Sequence, residues 1–174
     1  MKNIFTGMIM VFIDFHLNIG LSRIGLIPTF LGYIFIHKGL AELAEFSPWF
    51  TKLMPYCKGM IVYTIITYVL DLLGIPPGTG IVLGIISGIV SFYISYGIIM
   101  GVMDIEKAKS QDLNSQQLYS TWKLMVISTL ITHLLLIFPV LAIPSILIAF
   151  AISIYYLLMF NKTKKLFYEE YPTS

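Results

Sequence analysis

An all-α, polytopic transmembrane helix bundle is the fold class this sequence predicts, and three observations predict it. Hydrophobic residues make up 57% of the 174-residue chain and charged residues only 11%, against about 25% charged in ordinary globular domains. Residues 72–103 and 124–161 each run without a single Asp, Glu, Lys or Arg. The basic residues, finally, fall almost entirely between alternate apolar segments. A soluble domain of this size has too little polar surface to cover so much apolar material, whereas lipid removes that requirement. One helical crossing takes about 20 residues. The second uncharged stretch is nearly twice that length and should therefore fold back once.

Six hydrophobic segments are read, at about 3–20, 24–37, 59–75, 79–103, 119–138 and 145–161. The first opens like a signal peptide, with Lys2 ahead of an apolar run from Ile4 to Ile13. Asp14 and His16 stand where small residues should mark a cleavage site, so an uncleaved first segment is expected. The second segment is short and contains Pro28. These two segments either cross fully, giving six spans, or form a re-entrant or interfacial hairpin, leaving four.

Residues 38–58 should form an amphipathic segment at the cytoplasmic interface. Leu40, Leu43, Phe46, Phe50 and Leu53 recur at helical steps, with Lys38, Glu42, Glu45 and Lys52 between them. Ser47 before Pro48 reads as a helix start, a capping hydroxyl followed by proline in the first turn. The expectation is helices lying in the inner headgroup plane, or alternatively a partner-docking surface. Pro76-Pro77-Gly78 supplies a turn that closes segments three and four into a hairpin. Residues 104–118 read as a polar cytoplasmic loop. Pro139 and Pro144 should bracket the last reversal, because each lacks a helix donor and clashes with the preceding turn.

Lysine and arginine set the orientation. With six spans and the N-terminus inside, Lys2, Lys38, Lys52, Lys58, Lys107, Lys109, Lys123, Lys162, Lys164 and Lys165 face the cytoplasm, and Arg23 alone lies outside. Both termini are then inside the cell membrane. Trp49, Tyr56, Tyr119 and Trp122 fall at the inner interface, where amphipathic rings are favoured.

The run from Ile24 to Ile34 contains the step Pro28-Thr29-Phe30-Leu31-Gly32-Tyr33, and Gly39-Leu40 and Leu43 follow it. This pattern, with Asp14 upstream, resembles functionally uncharacterised small bacterial multipass membrane proteins over the first 60 or so residues. Members often carry an acidic residue directly after the proline, where this chain has Thr29. The resemblance implies a bacterial cytoplasmic membrane and carries no activity with it.

Ionisable groups at mid-membrane cost about 2.5–3.5 kcal/mol on insertion scales and call for a reason. Asp14, Asp71 and His133 are the candidates. Counted from the inner lysines, all three stand about 15–20 Å above the cytoplasmic interface. Asn18 lies one helical turn beyond Asp14. The functional reading is a polar pocket of Asp14, Asn18, Asp71 and His133 that opens outward. The competing reading has Asp71 reaching the outer headgroups and His133 bonding a neighbouring helix. Segment four carries Gly80, Gly84 and Gly88 at four-residue steps beside Ser87, Ser91 and Ser95, and Gly97 and Gly101 repeat the spacing. Small residues let helices approach closely in lipid, either within the bundle or in a homo-oligomer or partner complex.

Scattered basic residues and a net charge of +2 leave no nucleic-acid footprint. Cys57, the only cysteine, reads as a packing residue. No protease, hydrolase or P-loop motif is present, no histidine pair stands at metal-binding spacing, and no cofactor is implied. The Glu169-Glu170 pair lies in the polar tail. Three classes remain, in this order: a non-enzymatic accessory or structural membrane component; a small-molecule or ion transporter, or a substrate-binding membrane subunit; and a lipid-modifying enzyme with a scattered site. The second is similar in size and topology to the substrate-binding components of energy-coupling vitamin transporters, although their Ala-rich coupling motif is missing from the first segment.

Overall fold

Helix is the rule in the computed structural model, which describes residues 1–12, 16–19, 22–25, 28–74, 80–135 and 137–170. The chain divides into two compact units, Met1–Gly101 and Val102–Ser174.

The first unit begins with α1 (Lys2–Phe12) and α2 (Thr29–Glu42), between which lies an antiparallel ribbon of β1 (His16–Ile19) and β2 (Ser22–Gly25). Residues 3–20 and 24–37 were expected to be helical, and the ribbon corrects both ends that meet. His16-Leu17-Asn18-Ile19 alternates polar and apolar residues with the period of a strand. His16 pairs with Gly25, Leu17 with Ile24, Asn18 with Arg23 and Ile19 with Ser22.

α1 and α2 pack so closely that glycine is required where they touch. A Cβ on Gly7 would strike the Gly32 carbonyl oxygen and come within 2.6 Å of Ile36, and one on Gly39 would stand 2.7 Å from the Ile4 nitrogen. At the same end of the pair, the Asn3 side-chain amide donates to Glu42 Oε1 at 2.5 Å. The two helices are therefore antiparallel, with the start of α1 beside the end of α2.

α3 (Pro48–Leu72) starts as its sequence dictates. The Ser47 hydroxyl oxygen accepts from the Trp49 N–H at 3.2 Å, and Pro48 occupies the first helical position. Ser47→Ala should cost about 1 kcal/mol, read as a lower unfolding midpoint in detergent. The helix then continues through Pro55 to Leu72, so residues 48–58 do not form a separate helix in the headgroup plane. The apolar face expected there is core: Leu40, Leu43, Phe50 and Leu53 are buried, while Lys38, Glu42, Glu45 and Lys52 are exposed. Beyond Leu72, Gly74 adopts φ 67 and its N–H donates to the Asp71 carbonyl. This is the left-handed helix stop that glycine makes without strain. The Pro76-Pro77-Gly78 turn lies outside the described residues.

α4 (Gly80–Lys109) returns along α3. Gly97 faces Leu53, whose Cδ2 is 2.7 Å from where a Cβ would stand, and Gly101 faces the Phe50 ring. Edge-on contacts of Trp49 with Tyr96 and Tyr56 with Tyr93 flank this seam.

The second unit holds the end of α4 with α5 (Ser115–Leu135) and α6 (Pro139–Glu170). The polar loop expected over 104–118 shrinks to 110–114, because Asp104–Lys109 continue the helix. The Ser115 N–H, an orphan donor at the start of α5, donates to Glu106 Oε2 at 3.0 Å, and this bond closes the short connection. The last reversal is likewise tighter than expected. Pro139 begins α6 and Pro144 lies inside it, where its missing N–H frees a single carbonyl near the helix start. The Thr132 hydroxyl links α5 and α6, its Oγ1 standing 2.9 Å from the Ser128 carbonyl of its own helix and 3.1 Å from the Ser145 carbonyl of α6.

Three helical stretches, Pro48–Leu72, Leu83–Lys109 and Val140–Glu169, are long and apolar enough to cross a membrane. Their outer faces carry exposed side chains such as Ile66, Val69, Ile85, Ile89, Leu147 and Leu158. So large an apolar surface would promote aggregation in water and is what a lipid-facing surface requires.

Candidate functional site

Helical spacing puts Thr64, Thr67 and Asp71 along one stripe of α3, at three- and four-residue steps. The first turns of α4 place Gly84, Ser87, Gly88 and Ser91 opposite them, and α2 contributes Thr29 and Tyr33. Together with Val11, Met60, Tyr63 and Tyr68, these residues line a cavity of about 270 Å³. It lies toward the end of the unit where α3 finishes and α4 begins. Asp71 supplies the carboxylate, and no Lys, Arg or His is among the described lining residues. Tyr68 is held by an edge-on contact with Phe30, ring centroids 5.7 Å apart.

Several hydroxyls on these walls bond other protein oxygens. Thr64 Oγ1 donates to the Met60 carbonyl at 2.6 Å, and Thr67 Oγ1 to the Thr64 carbonyl at 3.2 Å. Ser87 Oγ donates to the Gly84 carbonyl at 2.9 Å and Ser91 Oγ to the Ser87 carbonyl at 2.8 Å. Tyr33 Oη lies 2.5 Å from Ser91 Oγ. Either hydroxyl can be the donor in that pair. Each of these oxygens retains lone pairs, and Thr29, Tyr63 and Tyr68 bring further hydroxyls to the lining. Glycine at 84 and 88 keeps the α4 wall low: a Cβ at either position would meet no atom within 4 Å.

A second hollow of about 400 Å³ between α3 and α4 shares Met60, Tyr63 and Ser87, and its other walls include Pro55, Leu83, Ile86 and Val90. Its apolar lining suits a lipid chain rather than a polar solute.

Asp71 lines the polar cavity. His133 belongs to α5 in the second unit, is exposed, and is not among the lining residues; its Nδ1 donates to the Thr129 carbonyl of its own helix at 2.8 Å. Asp14 lies outside the described residues, as does the side chain of Asn18, whose backbone pairs with Arg23 across the ribbon. Close helix contacts are made at Gly97 and Gly101 on α4 and at Gly7, Gly32 and Gly39, whereas Gly84 and Gly88 meet no atom of this chain within 4 Å. The surroundings of Gly80 lie outside what the structure describes. Ser87 and Ser91 line the cavity, whereas Ser95 is buried and donates to the Phe92 carbonyl.

Sequence reasoning missed Thr64, Thr67 and Tyr33. The stripe of Thr64, Thr67 and Asp71 was visible at helical spacing, but threonine in an apolar helix commonly bonds its own backbone and attracts no notice. Nothing local marks Tyr33, because its partner Ser91 is 58 residues away. Among the described residues no three His, Cys, Asp or Glu side chains converge as a metal site would need. No protein-family model, curated protein or solved structure matches this chain.

Proposed function

We propose that this chain is a multipass protein of the bacterial cytoplasmic membrane that binds a small polar solute, as a transporter or a substrate-binding membrane subunit. One observation carries the reading: Asp71, an ionisable residue in the last turn of an apolar helix, stands on a hydroxyl-lined cavity between four helices. A carboxylate in lipid is costly, and facing a polar cavity is the usual way such a residue is retained.

The proposed topology has both termini inside. Lys2 and Lys38 share the end of the first unit where α1 begins and α2 finishes, and Lys52 lies in the first turns of α3. Asp71 stands about 20 Å along α3 beyond Lys58, which puts the cavity in the outer half of the bilayer. Whether the helix–ribbon–helix hairpin crosses or re-enters, the number of crossings stays even, at six or four.

The test is thermal unfolding of the purified protein in detergent against a panel of metabolites and ions, for wild type and Asp71→Asn. A bound solute at a hundredfold excess over its Kd adds about 2.7 kcal/mol to stability. At least one solute is expected to raise the wild-type midpoint and leave that of Asp71→Asn unchanged. A panel without effect on wild type would overturn the reading.

A second reading, a non-enzymatic accessory component, is favoured by the open space at Gly84 and Gly88, where a partner helix or a second copy could approach α4. It predicts a partner or an oligomer that survives purification in mild detergent.

A further inference from the structure

We infer that the cavity on α2, α3 and α4 takes the protonated amine end of a small solute, an inference that rests on the solute-binding reading above. The argument is the charge on the walls. Asp71 is the charged side chain among the described lining residues, with no Lys, Arg or His beside it. Tyr33, Thr64, Thr67, Ser87 and Ser91 each bond another protein oxygen and keep lone pairs to offer a ligand. An anionic solute would meet the Asp71 carboxylate with no described cation to offset it. A primary ammonium presents three donors and a positive charge, complementary on both counts. The size of the cavity argues against a bare alkali ion: about 270 Å³ compares with about 30 Å³ for one water in the liquid. There is room for an organic body against Met60, Tyr63 and Tyr68.

One residue of opposite charge bears on this. β2, which carries Arg23, packs against α3. An arginine engaged with Asp71 in the native protein would exclude an amine, and the test must separate the two.

The experiment is titration calorimetry on the full chain in detergent with propylamine, tyramine and putrescine, each compared with its N-acetyl derivative, and with sodium and potassium chloride. N-acetylation leaves the body of the molecule but removes the charge. At least one amine is expected to bind wild type, and its acetylated form to bind at least about tenfold more weakly. Asp71→Asn should weaken that amine by roughly ten- to a hundredfold, the range for hydrogen bonds to a charged group. Thr67→Val, which removes one acceptor and keeps the helix, should weaken it several-fold at an unchanged melting temperature. Equal binding of amine and acetylated form, or preference for an anionic or neutral solute in the panel above, would overturn the amine assignment and leave the solute-binding reading standing. So would saturable binding of alkali ions alone. Amine binding seen in Arg23→Gln but not in wild type would show that Asp71 is neutralised internally, and would also overturn it. If no amine and no panel solute binds wild type, the solute-binding reading itself fails.

Discussion

Phe50→Ala is expected to destabilise the protein by about 3–5 kcal/mol, the range for removing a fully enclosed aromatic ring. Phe50 is 0% exposed and its ring lies against Gly101. The glycine exists for the ring: any side chain at 101 would occupy the ring's volume. Removing the ring leaves a void bounded by backbone on the α4 side, which cannot collapse without moving the helix. Dispersion contacts are lost outright in such a void, and this argument holds in lipid, where the hydrophobic effect between helices is absent. Unfolding in mixed micelles, monitored by tryptophan fluorescence, measures the change; a loss below about 1 kcal/mol would mean that the α3–α4 seam does not hold the fold together. Phe50→Leu, which refills part of the space, should recover part of the loss.

Gly7→Ala should cost about 1–3 kcal/mol, the overpacking range, whereas Gly84→Ala and Gly88→Ala should be neutral or slightly stabilising. All three sites are helical glycines in the same unit, so the intrinsic gain of alanine in a helix, about 0.5–1 kcal/mol, is common to them. Their surroundings differ. A methyl group at Gly7 meets the Gly32 carbonyl and the Ile36 backbone nitrogen, which cannot step aside without parting α1 from α2, while the other two meet nothing within 4 Å. Parallel melting curves of the three variants decide the matter. Equal effects at all three would contradict the α1–α2 contact. A smaller particle for Gly84→Ala or Gly88→Ala, with the melting temperature unchanged, would shift the functional argument from solute binding toward an accessory role.

Membrane character was legible in the chain, since hydropathy is a sum over residues and needs no knowledge of which ones meet. The start of α3 was legible for a similar reason: a capping serine and an N1 proline act on their own backbone, and Ser47 does bond Trp49. Helix ends that depend on partners were not. Residues 104–109 are polar enough for a loop, yet they stay helical because Glu106 reaches Ser115. The strand at His16–Ile19 obeyed a local alternation, but apolar content outweighed it until its partner strand was seen.

The candidate site divides along the same line. Asp71 stood out from the sequence because a charge in an apolar run is anomalous wherever the run folds. Its surroundings did not, because Tyr33, Thr67 and Ser91 are distant in sequence and ordinary one at a time. The glycines make the point most clearly. Gly84 and Gly101 carry the same local signature, a small residue at four-residue spacing, yet one borders open space and the other an aromatic ring. Propensity and hydropathy belong to single residues and can be read along the chain, whereas close approach and empty volume belong to pairs of helices and exist only once the chain is folded.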